Sequence, residues 1–150
     1  MATPPRKILI AMDGSKHSDY AFDWYVKYFY KEKDDLLIVY CNEHTGLMSA
    51  PPPTSDLNAV SKLVKEDEMD STNALNQFTK KLQNAGIKGN VLRLFGGKPG
   101  ELIVKASEEH KVDMIITGTR GLGTIRRTLM GSVSEYVVHH ASVPVLVVRQ

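Results

Sequence analysis

Val112-Asp113-Met114-Ile115-Ile116-Thr117 runs directly into Gly118-Thr119-Arg120-Gly121 and, after nine further residues, into Gly131-Ser132. The first six residues read as a short apolar strand, and Val133 to Ala141 carries helical spacing. A strand that empties into a glycine-spaced loop, which then opens a helix, is how α/β proteins hold phosphate. Gly121 and Gly131 lack a Cβ, so their backbone can take φ > 0 and bring N–H groups close to an anion. The helix start near Ser132 adds N–H donors without intrahelical acceptors and the positive end of the helix dipole.

Working outward, Lys7 to Met12, Leu36 to Cys41, Val91 to Phe95 and Val143 to Val148 are further short apolar runs. Ser15 is expected to cap a helix whose apolar positions Ala21, Trp24, Tyr25, Tyr28 and Phe29 recur at i, i+3, i+4, i+7 and i+8. His44 to Asp56, with Pro51-Pro52-Pro53, reads as a loop. Ser55 or Asp56 then caps a long amphipathic helix to about Ala85, with Val60, Val64, Leu75, Phe78 and Leu82 on one face and Gly86 as its C′ residue. Gly96-Gly97-Lys98-Pro99-Gly100 turns the chain into a helix carrying Leu102, Ile103 and Ala106. The order β-α-β-α-β-α-β-α-β, with strands apolar on both faces, predicts an α/β fold: a Rossmann-like, doubly wound, five-stranded parallel sheet. Right-handed crossovers and a topological switch beside the first strand put a ligand at the strands' carboxyl ends.

The 150 residues fit one domain, 1–150, without repeats or low-complexity tracts. A net charge of +2 supplies no strong field, which argues against nucleic acid or a membrane surface as partner. The single cysteine, Cys41, excludes an intramolecular disulfide, and no Cys/His spacing suggests zinc. No apolar stretch reaches the roughly 20 residues needed to span a bilayer, and no apolar leader precedes the first strand. The expectation is a cytoplasmic protein.

Three segments converge at the predicted carboxyl ends. Asp13 follows the first strand, where its carboxylate can accept from a ribose hydroxyl or an exocyclic amine, or form an Asx turn ahead of the helix. Val39 to Asn42 ends the neighbouring strand and offers its main chain to a base edge. At the glycine loop, Ser132 with Glu135 three residues on is a capping-box pattern. Arg120, Arg126 and Arg127 place three positive and no negative charges between Gly118 and Gly131, which suits a polyanion. Charge-assisted hydrogen bonds contribute roughly 1.5–3 kcal/mol each, so a few convergent donors suffice for micromolar binding.

Gly-x2-Gly-x9-Gly-Ser from Gly118 resembles the nucleotide-binding signature of the universal stress protein family. Lys7 to Asp13, Pro144 to Arg149, Ser132-Val133-Ser134-Glu135 and Ala141-Ser142-Val143-Pro144 are also similar to that family, so the likeness covers essentially the whole chain. It is the ATP-binding branch that the glycines resemble. The resemblance implies that Asp13 and the main chain of Ala11 and Tyr40 surround the adenosine, and that Gly118 lies near the ribose. It further implies that Gly121, Gly131, Ser132 and Val133 hold the phosphates of ATP, with Mg2+ or Mn2+ alongside. Tyr40 departs from the smaller aliphatic residues frequent at its position, and the Pro51–Pro53 loop is variable in the family.

No Walker-type motif is present, and no Ser/His/Asp or Cys/His arrangement for catalysis is evident. His17, His139 and His140 read as surface or satisfied residues, and Cys41 as packing. No catalytic residue is assigned, and the expectation is a nucleotide-responsive switch in the stress response. The alternatives are a slow ATPase or adenine-nucleotide hydrolase in the same crevice, and a flavin-carrying electron-transfer module. Val143 to Val148, the last strand, is expected at a sheet edge, where an apolar strand invites pairing. The resemblance implies a homodimer through it.

Overall fold

The computed structural model describes residues 4–41, 57–119 and 131–150, with the side chains of residues 57–64, 66, 67 and 70 outside that description. The Asn42 end of the second strand, the Pro51–Pro53 loop, the expected cap at Ser55 or Asp56, the Val60 and Val64 side chains, and Arg120, Gly121, Arg126 and Arg127 therefore lie outside the described residues.

The strands are β1 (Lys7–Met12), β2 (Asp35–Cys41), β3 (Gly89–Leu94), β4 (Met114–Thr119) and β5 (Val145–Arg149). They alternate with α1 (Lys16–Trp24), α2 (Leu57–Ala85), α3 (Pro99–Glu109) and α4 (Ser132–His140). All pairings are parallel and the sheet order is β3-β2-β1-β4-β5. This is the doubly wound arrangement expected from the alternation, with β5 at an edge.

Period-two alternation sends each strand's residues to two cores. Ile8, Ile10, Leu36, Ile38 and Tyr40 share one core with Ala21 and Phe22 of α1, Tyr25 just after it, and Phe78 and Leu82 of α2. Leu9, Leu37, Val39 and Cys41 meet Ile103, Ala106 and Val137 from α3 and α4 on the other face. Gly86, at φ +66, ends α2 as expected: its N–H donates to Gln83 O and that of Ile87 to Leu82 O, the two bonds of a Schellman turn.

Several boundaries differ from expectation, and β5 runs Val145–Arg149 rather than Val143–Val148. β4 extends through Gly118 and Thr119, and β3 starts at Gly89 and leaves Phe95 outside, 69% exposed. The first helix does not stay α-helical, because Tyr25–Phe29 forms a π turn closed by Tyr30 N–H on Tyr25 O at 2.8 Å. A π turn takes one more residue per turn, so the apolar face slips: Tyr25 is fully buried while Tyr28 comes out to 64% exposure.

That turn serves a buried polar latch at the amino ends of β1 and β2. Asp34 accepts from Arg6 Nε at 2.8 Å, Arg6 Nη2 at 2.6 Å, Tyr25 OH at 2.8 Å and Lys31 N–H at 3.1 Å. Arg6 also donates to Phe29 O at 2.9 Å and lies 4.6 Å from the centre of the Phe29 ring. Burial pushes the Asp34 carboxyl up, but the Arg6 guanidinium and the other donors outweigh it and hold it below the ordinary carboxylate range.

Candidate functional site

The ladder between β1 and β4 ends at Ala11 and Thr117, although β1 continues to Met12 and β4 to Thr119. That pair lies where the chain's winding reverses, the place at the carboxyl ends of the strands where open α/β sheets hold their ligands.

On the β1 side stands Asp13. Ser15 donates to its Oδ1 twice, from N–H at 2.9 Å and from the hydroxyl in a short contact. Asp13 N–H donates to Ser18 Oγ at 3.4 Å, and Ser15 Oγ caps α1 by accepting from Ser18 N–H at 3.3 Å. The Asx turn and the exposed carboxylate thus coexist. Partial burial pushes the Asp13 carboxyl up, but the Ser15 donors and the nearby His17 more than offset it and hold it low.

His17 Nε2 lies 3.0 Å from Ser15 Oγ and 3.6 Å from Asp13 Oδ2. The structure therefore brings together a serine, a histidine and an aspartate that sequence reasoning left apart, because the first turn of α1 folds residue i+4 back onto the carboxylate. It is not a nucleophilic triad. Both partners approach the same hydroxyl, and Asp13 does not orient the ring from its second nitrogen.

On the β4 side the strand end and the start of α4 are tied by hydroxyls. Gly131 N–H donates to Thr119 Oγ1 at 3.2 Å, and Ser134 Oγ donates to Gly118 O at 3.2 Å beside Thr117 Oγ1 at 3.4 Å. Anchored in this way, Gly131 occupies the cap position, extended at φ −62 and ψ 154, and Ser132 is already helical. The expected capping box is absent: with the cap one residue earlier, the Ser132 hydroxyl makes no cap bond, and Gly131 does not use the left-handed region open to it. The first intrahelical bond is Glu135 N–H to Gly131 O at 2.9 Å. The N–H groups of Ser132, Val133 and Ser134 have no intrahelical acceptor.

Gly118 is a strand residue rather than a turn glycine. A methyl there would overlap the His17 carbonyl oxygen and lie 2.9 Å from its carbon, so α1 rests directly on β4. Ala11 sits in the ladder between Val39 and Thr117. The Tyr40 ring, unexplained by the sequence, is core, 5.5 Å from that of Phe78, which leaves its main chain at the end of β2. Burial, with Asp13 nearby, pushes the Cys41 thiol up to about 12, so packing is its role. His140 stacks on Tyr136 with centroids 3.9 Å apart, and His139 stands 4.0 Å from Glu135, both far along α4.

Sequence reasoning missed Thr117, Thr119, Ser134 and Ser18 as the residues that set the site's geometry. Their signal was hydroxyls in an otherwise apolar strand and at buried helix positions. Among the described residues, no three His, Cys, Asp or Glu side chains gather to hold a metal. Nor is any helix there long and apolar enough to cross a membrane.

A helix start whose first N–H groups lack intrahelical acceptors and a fixed carboxylate give the carboxyl ends of the strands two poles of opposite sign. The pair suits an elongated molecule with an anionic end and a hydroxyl or amine at the other. These features define a doubly wound α/β protein with a helix start and a fixed carboxylate at its topological switch point. Residues 4–149 match the model of the universal stress protein family, and the chain belongs to that family.

A putative universal stress protein of Staphylococcus aureus is 34% identical over 145 residues, which is 96% of this chain and 84% of that protein. Among solved structures, the hypothetical protein MJ0577 superposes with TM-score 0.78 at 24% identity, covering 99% of this chain and 98% of its own. A universal stress protein family protein from Arabidopsis thaliana, with AMP bound, gives 0.71 at 18% identity over 97% of this chain and 92% of its own.

Proposed function

We propose that this chain is an ATP-binding regulatory protein of the stress response, a switch that reads the adenine nucleotide held across the carboxyl ends of β4, β1 and β2. The observation that carries the reading is the start of α4, where the anchor of Gly131 on Thr119 sets N–H donors without intrahelical acceptors past the end of β4. In this reading Ser132 and Val133 hold the phosphates, with Gly121, Gly131 and the cations Arg120, Arg126 and Arg127 alongside. Gly118 runs near the ribose, and Asp13 with the main chain of Ala11 and Tyr40 bounds the adenosine. The AMP of the Arabidopsis relative, on the same fold, supports an adenine nucleotide. Mg2+ or Mn2+ would be held largely by phosphate oxygens, since such ions need only one or two protein carboxylates. Turnover is expected to be slow, because Ser15 is used as a cap and Asp13 is already hydrogen-bonded.

Mass spectrometry of nucleotide co-purifying with the protein tests the ligand. Replacing Gly131 and Ser132 together by leucine tests the site. A methyl at Gly131 would meet only Thr119 Oγ1, at 3.8 Å, among the described residues, so the fold should survive. ATP affinity should fall by more than about tenfold for each donor blocked. Undiminished binding would refute the assignment.

We also infer a homodimer through Val143 to Val148. β5 has β4 on one side only, and Val145, Leu146 and Val147 are half-buried. Light scattering at micromolar concentration should give twice the chain mass, and a monomer would sink the idea.

A further inference from the structure

Among the described residues, one oxygen of the Asp13 carboxylate accepts two hydrogen bonds and the other accepts none. We propose that Ser15 and His17 are positioning residues that fix this carboxylate so that Oδ2 reads a hydrogen-bond donor on the nucleoside half of the ligand. The inference rests on the nucleotide reading above.

An ionised carboxylate only accepts, and a serine hydroxyl has one proton. The short contact to Asp13 Oδ1 uses that proton, and Ser15 N–H fills the same oxygen from 2.9 Å. Ser15 Oγ must then accept its other two bonds, from Ser18 N–H at 3.3 Å and from His17 Nε2 at 3.0 Å. His17 therefore carries its proton on Nε2. The same N–H stands 3.6 Å from Asp13 Oδ2, near enough to steer the carboxylate but beyond ordinary hydrogen-bond length. Ser18 Oγ, also beside the carboxylate, spends its one proton on Ser15 O at 3.0 Å, so among the described residues Oδ2 receives no ordinary hydrogen bond.

The support beneath this set is rigid. His17's own carbonyl rests on Gly118, so the ring springs from a turn of α1 that cannot drift from β4. With phosphates at the start of α4, on β4, the part of a nucleotide that reaches β1 is its nucleoside. A donor there is a ribose hydroxyl or an exocyclic amine, and an acceptor fixed in direction favours a ligand that carries it.

Calorimetric titration of the full chain with ATP, 2′-deoxy-ATP, inosine triphosphate and tripolyphosphate tests this. The wild type should prefer ATP over one of the two analogues by about tenfold or more, and which analogue suffers distinguishes hydroxyl from amine. His17→Ala should reduce that preference to within about twofold, with tripolyphosphate affinity unchanged. His17→Gln, whose amide can still donate to Ser15 Oγ, should restore it. Ser15→Ala should behave like His17→Ala, but it also removes the α1 cap, so the two His17 variants carry the test.

The proposal is overturned if the wild type binds all three nucleotides equally. It is overturned equally if His17→Ala keeps the preference or loses tripolyphosphate in parallel with ATP. A wild type that binds neither ATP nor tripolyphosphate instead overturns the nucleotide reading, and this inference with it.

Discussion

Gly118→Ala is expected to destabilise the protein by about 3 kcal/mol, the upper end of what overpacking costs. The added methyl would fall on the His17 carbonyl and lie 3.3 Å from the Ala21 Cβ. The atom struck is helix backbone rather than the end of a flexible side chain, so relief requires α1 to lift from β4. α1 and the π turn that follows it carry Ala21, Phe22 and Tyr25 into one of the two cores, and lifting them loosens the core that includes Ile116 and Val148. Chemical denaturation at neutral pH measures the loss, and a midpoint equal to the wild type's would contradict the packing argument. Gly131→Ala is the informative contrast. Its methyl has room and its backbone is ordinary extended chain, so stability should change by no more than about 1 kcal/mol, whatever happens to ligand affinity. Two glycines of one signature thus do different physical jobs.

The second large effect lies at the opposite end of the strands. Asp34→Ala should cost about 3–5 kcal/mol, as for other broken buried ion pairs, because it strands Arg6 and the Tyr25 hydroxyl. Asp34 is 3% exposed and accepts four hydrogen bonds. The pH dependence follows from the direction of its shift. A carboxyl held below its unfolded value of about 3.9 stabilises the fold above that pH, and the contribution vanishes as pH falls through the folded value. Asp34→Asn should therefore lose less stability than the wild type between neutral pH and pH of about 3. Asp13, also held low, keeps part of the acid sensitivity in the variant. Unfolding free energies at the two pH values decide it, and equal acid losses in both proteins would rule Asp34 out as the source.

The sheet was legible because its strands are apolar on both faces and the punctuation between them is strong. Gly86 and the edge position of β5 were equally open to reading. The π turn was not, since Tyr25, Tyr28 and Phe29 fit α-helical spacing and only the pull of Asp34 and Arg6 on Tyr25 and Phe29 explains the slip. At the site, Asp13 and the α4 start were found from position alone. The role of Ser132 was misread, because a capping-box pattern cannot reveal that Thr119, thirteen residues earlier, holds Gly131 in the cap. Likewise the neighbourhood of Asp13, Ser15 and His17 depends on a helix that begins without delay after a single glycine.

The Arg6–Asp34 latch sits before β1 and β2, while Asp13 and Gly131 sit past the ends of β1 and β4. Strands of six residues separate them by about 20 Å, beyond the Debye length at physiological salt. The charge of the latch is therefore screened from the ligand-facing carboxylate, and a lineage can retune Asp34 while Asp13 keeps its chemistry intact.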